Sequence, residues 1–268
     1  MAAFLGRFGV VLLFRMSKRD NTPDVSFGNS KRGGNLMNSN TTAALHPGLP
    51  EIPERCRKLP VVRGFPVPYF VQWVNGEPEF RAMDHAKFER CTFEGLCWVC
   101  GEPLGVHKAF VIGPMCAINR ISAEPPSHRE CAEWSARACP FLSMPKAKRS
   151  ERDMAGGIPF DERVKGECHL ERNPGVAMVW VTRSYELIRA PGASASGYLL
   201  AVGEPEEVLF FSEGRRATVE EIMHSIDTGL PALEAAAEKE ATAWDRAAAL
   251  VEIRKKYEET KLLVAKVA

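Results

Sequence analysis

No sign of charge dominates this sequence. Its 35 lysines and arginines stand against 34 aspartates and glutamates, a formal net charge of +1. The surface as a whole therefore offers no electrostatic footprint for nucleic acid, which basic domains bind through phosphates. Membrane-length apolar runs are missing as well. The N-terminal run at residues 8–14 falls far short of the roughly 20 residues a spanning helix takes. A basic leader and a small-residue cleavage site are not evident around it, so neither a membrane partner nor a secretory signal is expected. An extended reading frame, with translation starting at Met16 or Met37, is the plain account of that segment. Also missing are a glycine-rich phosphate loop, a serine-nucleophile motif, a HExxH pair and any useful internal repeat, so the enzyme classes built on them are not indicated. Eight cysteines in 268 residues are too few for a disulfide scaffold. Read with the metal site below, they point to a reducing, cytoplasmic setting.

What the sequence does contain is a pair of ligand motifs. Cys97 and Cys100 have the two-residue gap that lets a tight turn aim both sulfurs at one point, and Gly101 can take a positive φ directly after them. Some thirty residues on, Pro125-Pro126 stop whatever precedes them, and Ser127 and Glu130 have the spacing of a capping box. A helix is expected to begin at His128. His128 and Cys131 would then share one face in its first turn, where the helix dipole favours a thiolate. Trp134 and Ala138 continue that face. Thiolate and imidazole suit zinc, and four protein ligands make a closed, structural Zn2+ site on Cys97, Cys100, His128 and Cys131. Buried or free thiols in a reduced protein are the alternative.

A knuckle, a hairpin and a helix supplying the last two ligands resemble a treble-clef zinc finger over residues 91–142. The hairpin would be two strands, residues 106–112 and 115–121, around Gly113-Pro114. The resemblance implies an α+β fold. It also brings in the His-Asn-His nucleases, built on the same clef, with His107 and Asn119 near the positions such a family uses. Here His128 is taken as a ligand and the doubled histidine before the helix is missing, so the nuclease is the second reading. The zinc segment and residues 202–233 also resemble uncharacterised proteins of bacterial phages and mobile elements, with no activity attached.

Composition divides the chain into a loose arm at 1–58, a zinc-finger unit at 59–145, a basic linker at 146–157 and a sheet-plus-helix region at 158–268. Residues 16–58 of the arm are rich in Asn, Ser, Thr, Gly and Pro and poor in large apolar residues. Strands are expected at 67–74 and 77–83 around Asn75-Gly76, a strong hairpin signal, followed by a short helix capped by Asp84 that buries Phe88. Later strands are expected at 176–181, 185–189, 198–202 and 208–211 in a small antiparallel sheet. Thr218 and Glu221 form a second capping box, for a helix ending at Gly229. Pro231 would start a last helix whose stripe Leu233, Ala237, Ala241, Trp244, Ala248 and Val251 packs on the sheet or makes a homodimer seam.

The best-supported function from these residues is a zinc-stabilised, non-enzymatic binding or adaptor protein, its partner a protein or nucleic acid. The basic run Lys146, Lys148, Arg149 and Arg152 is either a solvated linker or a phosphate-contacting patch. A second metal or redox centre would have to draw on Cys116, Cys139, Cys168 and His169; scattered reduced cysteines are the simpler account.

Overall fold

The computed structural model describes residues 44–143, 153, 174–189, 197–239 and 242–267. A 3-10 turn at Glu54–Cys56 comes first. Two hairpins follow: β1 Val61–Val62 with β2 Phe65–Pro66, and β3 Val71–Val74 with β4 Glu77–Met83. Then come α1 His85–Phe93, β5 Lys108–Ile112, α2 Pro114–Asn119, β6 Ile121–Ser122, α3 Arg129–Ala138 and α4 Pro140–Ser143. The remaining elements are β7 Ala177–Thr182, β8 Tyr185–Arg189, β9 Tyr198–Val202, β10 Glu207–Ser212, β11 Arg215–Arg216, α5 Val219–Ala237 and α6 Ala243–Val267. The fold is α+β with small antiparallel sheets and a C-terminal helix.

β7 is the middle of the molecule. It lies in a four-stranded sheet of order β11-β10-β7-β5, and every one of its residues is buried. Side chains alternate across a strand, and here both faces are covered. Met178 and Trp180 face the larger core with Phe110, Ile118, Leu200, Phe210, Ile226 and Ile253. Ala177, Val179 and Val181 face the other way, onto Ala132 and Ala136 of α3. The sheet thus joins β5, from before the 146–157 segment, to β7 and β10 from after it.

β7 and β8 are consecutive but do not pair. β8 joins β9 and β6 in a separate three-stranded sheet, so the chain changes sheets at Arg183-Ser184 and returns after Val202. The single antiparallel sheet expected from the sequence is therefore two sheets. Where the crossings meet, Gly203 donates its N–H to the Ser184 carbonyl at 3.1 Å. A Cβ on Gly203 would lie 2.6 Å from that same oxygen, a backbone atom that can move only with the chain. Gly203→Ala is expected to destabilise the protein by about 1–3 kcal/mol, as overpacking does, measured as a lowered denaturant midpoint.

Three further expectations are corrected. Residues 115–119 form helix, not strand. Gly113 is the N-cap, Pro114 occupies the first turn, and Arg120 closes α2 in the left-handed region at φ 59°. Proline's fixed φ suits a helix start. β5 then pairs with β7 rather than with a return strand, so the hairpin between the ligand pairs does not form. Second, α5 runs through Gly229 and Pro231. An interior proline costs a hydrogen bond and a clash, about 3 kcal/mol. Burial offsets it: Ile222, Ile226, Gly229, Leu233 and Ala237 hold one buried face across the proline. Third, the last helix is two. α5 and α6 form an antiparallel pair, tied by Tyr257 to Asp227 and by Arg254 to Glu234. The break resets the helical phase. α6 buries Ala249, Ile253, Thr260 and Val264, while Trp244 and Val251 face outward; Ala241 lies outside the described residues.

Other expectations hold. Asn75 and Gly76 both have positive φ in the β3–β4 turn. Asp84 caps α1 through the Lys87 N–H, Phe88 is buried, and Thr218 with Glu221 forms the capping box of α5. Among the described residues no helix is long and apolar enough to cross a membrane.

Candidate metal centre

The turn carrying Cys97 and Cys100 is set by backbone bonds. Gly101 donates to the Cys97 carbonyl at 2.9 Å, and Cys97 to the Glu102 carbonyl at 2.7 Å. Gly101 sits at φ 76°, and a Cβ there would strike the Tyr69 ring at 2.7 Å. Glycine is required both for the turn and for that close approach.

His128 is the N-cap of α3, not its first helical residue, and no side chain caps the helix. The capping box read from Ser127 and Glu130 does not form, because both residues are engaged elsewhere. Ser127 exchanges two backbone hydrogen bonds with Ala109 of β5, at 2.8 and 2.7 Å. The Glu130 carboxylate accepts from Arg55 Nε at 3.0 Å. The consequence for the site is small. His128 and Cys131 still straddle the first turn, and Trp134 and Ala138 pack with Cys97, Val99 and Cys100 as the face reading expected.

The structure brings Cys97, Cys100, His128 and Cys131 together, all buried, with one donor atom from each within 4.8 Å of every other. His128 Nδ1 lies 3.4 Å from Cys100 Sγ and 3.9 Å from Cys131 Sγ. Ligands at zinc–donor lengths of 2.0–2.3 Å stand roughly 3.4–3.8 Å apart at the corners of a tetrahedron. The cluster is therefore compatible with a bound metal ion such as zinc. The imidazole is oriented for that role: Nε2 lies 3.0 Å from the Pro103 carbonyl, the partner an Nε2–H would donate to, which leaves Nδ1 facing the sulfurs.

Electrostatics fit the same picture. Burial pushes the Cys97 thiol up. Hydrogen bonds from Cys100, Cys131 and His128, with the Cys100 backbone N–H, outweigh it and bring its pKa below the ordinary thiol value. The His128 ring is held up at about 10 by its hydrogen bonds to Cys100 and Cys97. Cys131 is pushed up by hydrogen bonds with Cys100, Cys56 and Cys97 and by burial. Without a cation, thiols this close resist ionising together, and Cys97 is the one favoured to ionise while Cys131 is held protonated. A divalent cation removes that limit, since a coordinating thiol is deprotonated outright.

Sequence reasoning missed a fifth thiol. Cys56 is buried with its Sγ 3.7 Å from Cys131 Sγ. It lies in the segment expected as part of the loose arm, and the 3-10 turn at Glu54–Cys56 sets it against Cys131. Arg55 bonds Glu102 and Glu130, and Lys58 bonds Glu102, so the turn is tied to both the knuckle and α3. The signal available was the spacing of Ile52, Cys56 and Leu59, one helical face in an otherwise polar stretch. Cys56 stands outside the four-donor group, so Cys56→Ser is expected to keep one metal per chain, whereas Cys131→Ser loses it. Metal analysis of the two purified variants checks this. Burying the added hydroxyl lowers stability by about 1–2 kcal/mol.

Among the described residues these four are the one group of His, Cys, Asp and Glu placed to share an ion. Cys116 is exposed on α2, Cys139 follows α3, and Cys168 and His169 lie outside the described residues. So does the basic run Lys146, Lys148, Arg149 and Arg152. His107 is exposed and pairs with Glu206 at 3.2 Å. Asn119 ends α2 with its Oδ1 buried and unpartnered. Comparison with protein-family models, curated proteins and solved structures finds no match to the chain.

Proposed function

We propose that this chain is a non-enzymatic binding or adaptor protein whose central region is held in shape by one structural zinc ion on Cys97, Cys100, His128 and Cys131. The observation that carries the reading is closure. All four donors come from the protein and all four are buried, so no position is left for a water or a substrate. A catalytic zinc keeps such a position open; a structural one does not. The contact of His128 Nε2 with the Pro103 carbonyl fixes the ring, and the ion pairs of Arg55 and Lys58 with Glu102 hold the 54–59 turn against the knuckle, which favours a fixed cage in the same way. The partner is a protein or a nucleic acid, in a reducing compartment where the thiols stay free. A host-interaction role in a phage or mobile element rests on the sequence resemblance alone.

The His-Asn-His nuclease reading has less support. The hairpin such a site is built on is replaced here by the β5–β7 pairing and α2, and His128 already faces the sulfurs. The test uses the purified full chain with supercoiled plasmid and magnesium. No nicking is expected, with one zinc per chain and a lysate partner retained by the zinc form but not by the chelated form. Magnesium-dependent nicking that disappears in His107→Ala would replace the adaptor reading with the nuclease.

A further inference from the structure

α6 is buried on one side only, and its outer side carries an apolar stripe that nothing among the described residues explains. Trp244 is 75% exposed, Val251 69% and Leu262 64%. On a helix of 3.6 residues per turn these three lie almost on one line, because steps of 7 and 11 residues each return close to the same angle. Filling in the line by alternating steps of four and three adds Ala248, Lys255, Glu258 and Ala265, of which Lys255, Glu258 and Ala265 are exposed and Ala248 partly so. This is a heptad seam on the side opposite the buried face of Ala249, Ile253, Thr260 and Val264.

The charged pair in the middle of the seam decides its partner. Two copies laid parallel in register would set Lys255 against Lys255 and Glu258 against Glu258. Two copies laid antiparallel about a two-fold axis set Lys255 of one opposite Glu258 of the other, and do so twice. The same register sets Val251 opposite Leu262 and Ala248 opposite Ala265, so each of these layers pairs an apolar residue with an apolar one or a cation with an anion, while Trp244 lies outside the paired layers. Each layer also pairs one a position with one d position, as antiparallel helices require. Alanine at the outer layers lets the helices approach closely. Lys255 has no ion pair within the chain among the described residues, and Glu258 has only an exposed contact with Lys261 at 3.5 Å, a kind of pair worth little.

We propose that the outer face of α6 is a self-association surface, and that a second copy of this chain docks on it antiparallel with Lys255 facing Glu258 across the two-fold axis. The interface is isologous, so it closes at a dimer. It does not rest on the zinc reading, and the failure of either leaves the other standing.

Sedimentation equilibrium of the full chain, over a concentration series from low micromolar to submillimolar, reads the dimer constant. The wild type is expected to dimerise. Lys255→Glu alone and Glu258→Lys alone each place like charges in both central layers, and each should weaken the dimer about tenfold or more. The doubly reversed chain restores the pairing and should dimerise as the wild type does. Both side chains are exposed, so circular dichroism should show all three variants folded. A monomer at every concentration overturns the proposal, whether the stripe is bare or covered by other residues of the chain. So do single reversals that leave the dimer unchanged, or a double reversal that fails to restore it.

Discussion

Stripping the metal with a chelator at neutral pH is expected to unfold the corner built from the 54–59 turn, the 95–104 knuckle and the start of α3, while β7 stays paired with β10. Cys97→Ser should do the same without a chelator. The reason lies in how little else holds that corner. Its buried apolar cluster is Cys56, Leu59, Val99 and Trp134 around three of the proposed ligands. Apparent binding free energies of structural zinc reach roughly 10–16 kcal/mol in small zinc domains, comparable to the roughly 5–15 kcal/mol that stabilises a whole domain. Without the ion, three thiols and an imidazole remain packed in a buried cluster with no cation to satisfy them, where unpaired polar groups are costly. α3 keeps some hold on the sheet through Ala132 and Ala136, whose small side chains contribute little area. Amide hydrogen exchange should show protection lost at Cys100, Gly101 and the first turn of α3, with β7 protected throughout. Exchange that is unchanged by chelation would count against a structural ion.

The same prediction has a pH form. In the metal-free chain His128 holds its proton up to about pH 10, and metal binding must displace it. Protons and metal therefore compete for Nδ1 across the neutral range. Apparent affinity should rise with pH toward 10 and fall on acidification, so a chelator competition at pH 6 should strip the ion more readily than one at pH 8.

The largest purely structural effect is expected from Trp180→Ala, about 3–5 kcal/mol by the usual cost of emptying a buried aromatic site. Trp180 is fully buried at the centre of β7, between Phe110 of β5 and Val208 of β10 in the register. Its indole N–H donates to the Gly203 carbonyl at 2.9 Å, which ties the sheet to the crossing from β9 to β10. Its ring also covers Arg120, whose guanidinium carbon lies 4.3 Å from the ring centroid. Arg120 is buried enough that desolvation lowers its pKa, and Glu204 and Glu259 at 3.6 and 3.5 Å only partly restore it. Truncating the ring thus leaves a cavity, an orphaned carbonyl and an uncovered cation together. Trp180→Phe keeps most of the volume and should cost less, about 1–3 kcal/mol for the unpaired carbonyl and the smaller ring. Urea denaturation of both variants measures the difference.

How far the residues alone reached depended on whether the deciding interaction was local. The knuckle, the Asn75-Gly76 hairpin, the Asp84 cap and the Thr218–Glu221 box are each settled within a few residues, and each stands in the structure. The spacing of Cys97, Cys100, His128 and Cys131 was local within each pair, and the two pairs do converge. What escaped was set at a distance. Residues 115–121 have strand-forming side chains, but the partner of β5 proved to be β7, some 70 residues on, and that left the following stretch free to start a helix at Pro114. Glu130 has the right spacing for a cap, yet Arg55, 75 residues earlier, takes its carboxylate. Pro231 reads as a helix start until the buried face running through Gly229 and Leu233 is seen to continue past it. Cys56 was hidden for the same reason: its neighbours in sequence are polar, and its neighbours in space are not.

The measurement closest to the central claim is X-ray absorption at the zinc edge on the purified, reduced full chain, with metal content measured on the same sample. One zinc per chain is expected, with about three sulfur neighbours at roughly 2.3 Å and one nitrogen at roughly 2.0 Å, and Cys131→Ser should lose the metal. A chain that carries no zinc, or one whose zinc sits in a shell of oxygen donors and survives that substitution, would contradict it.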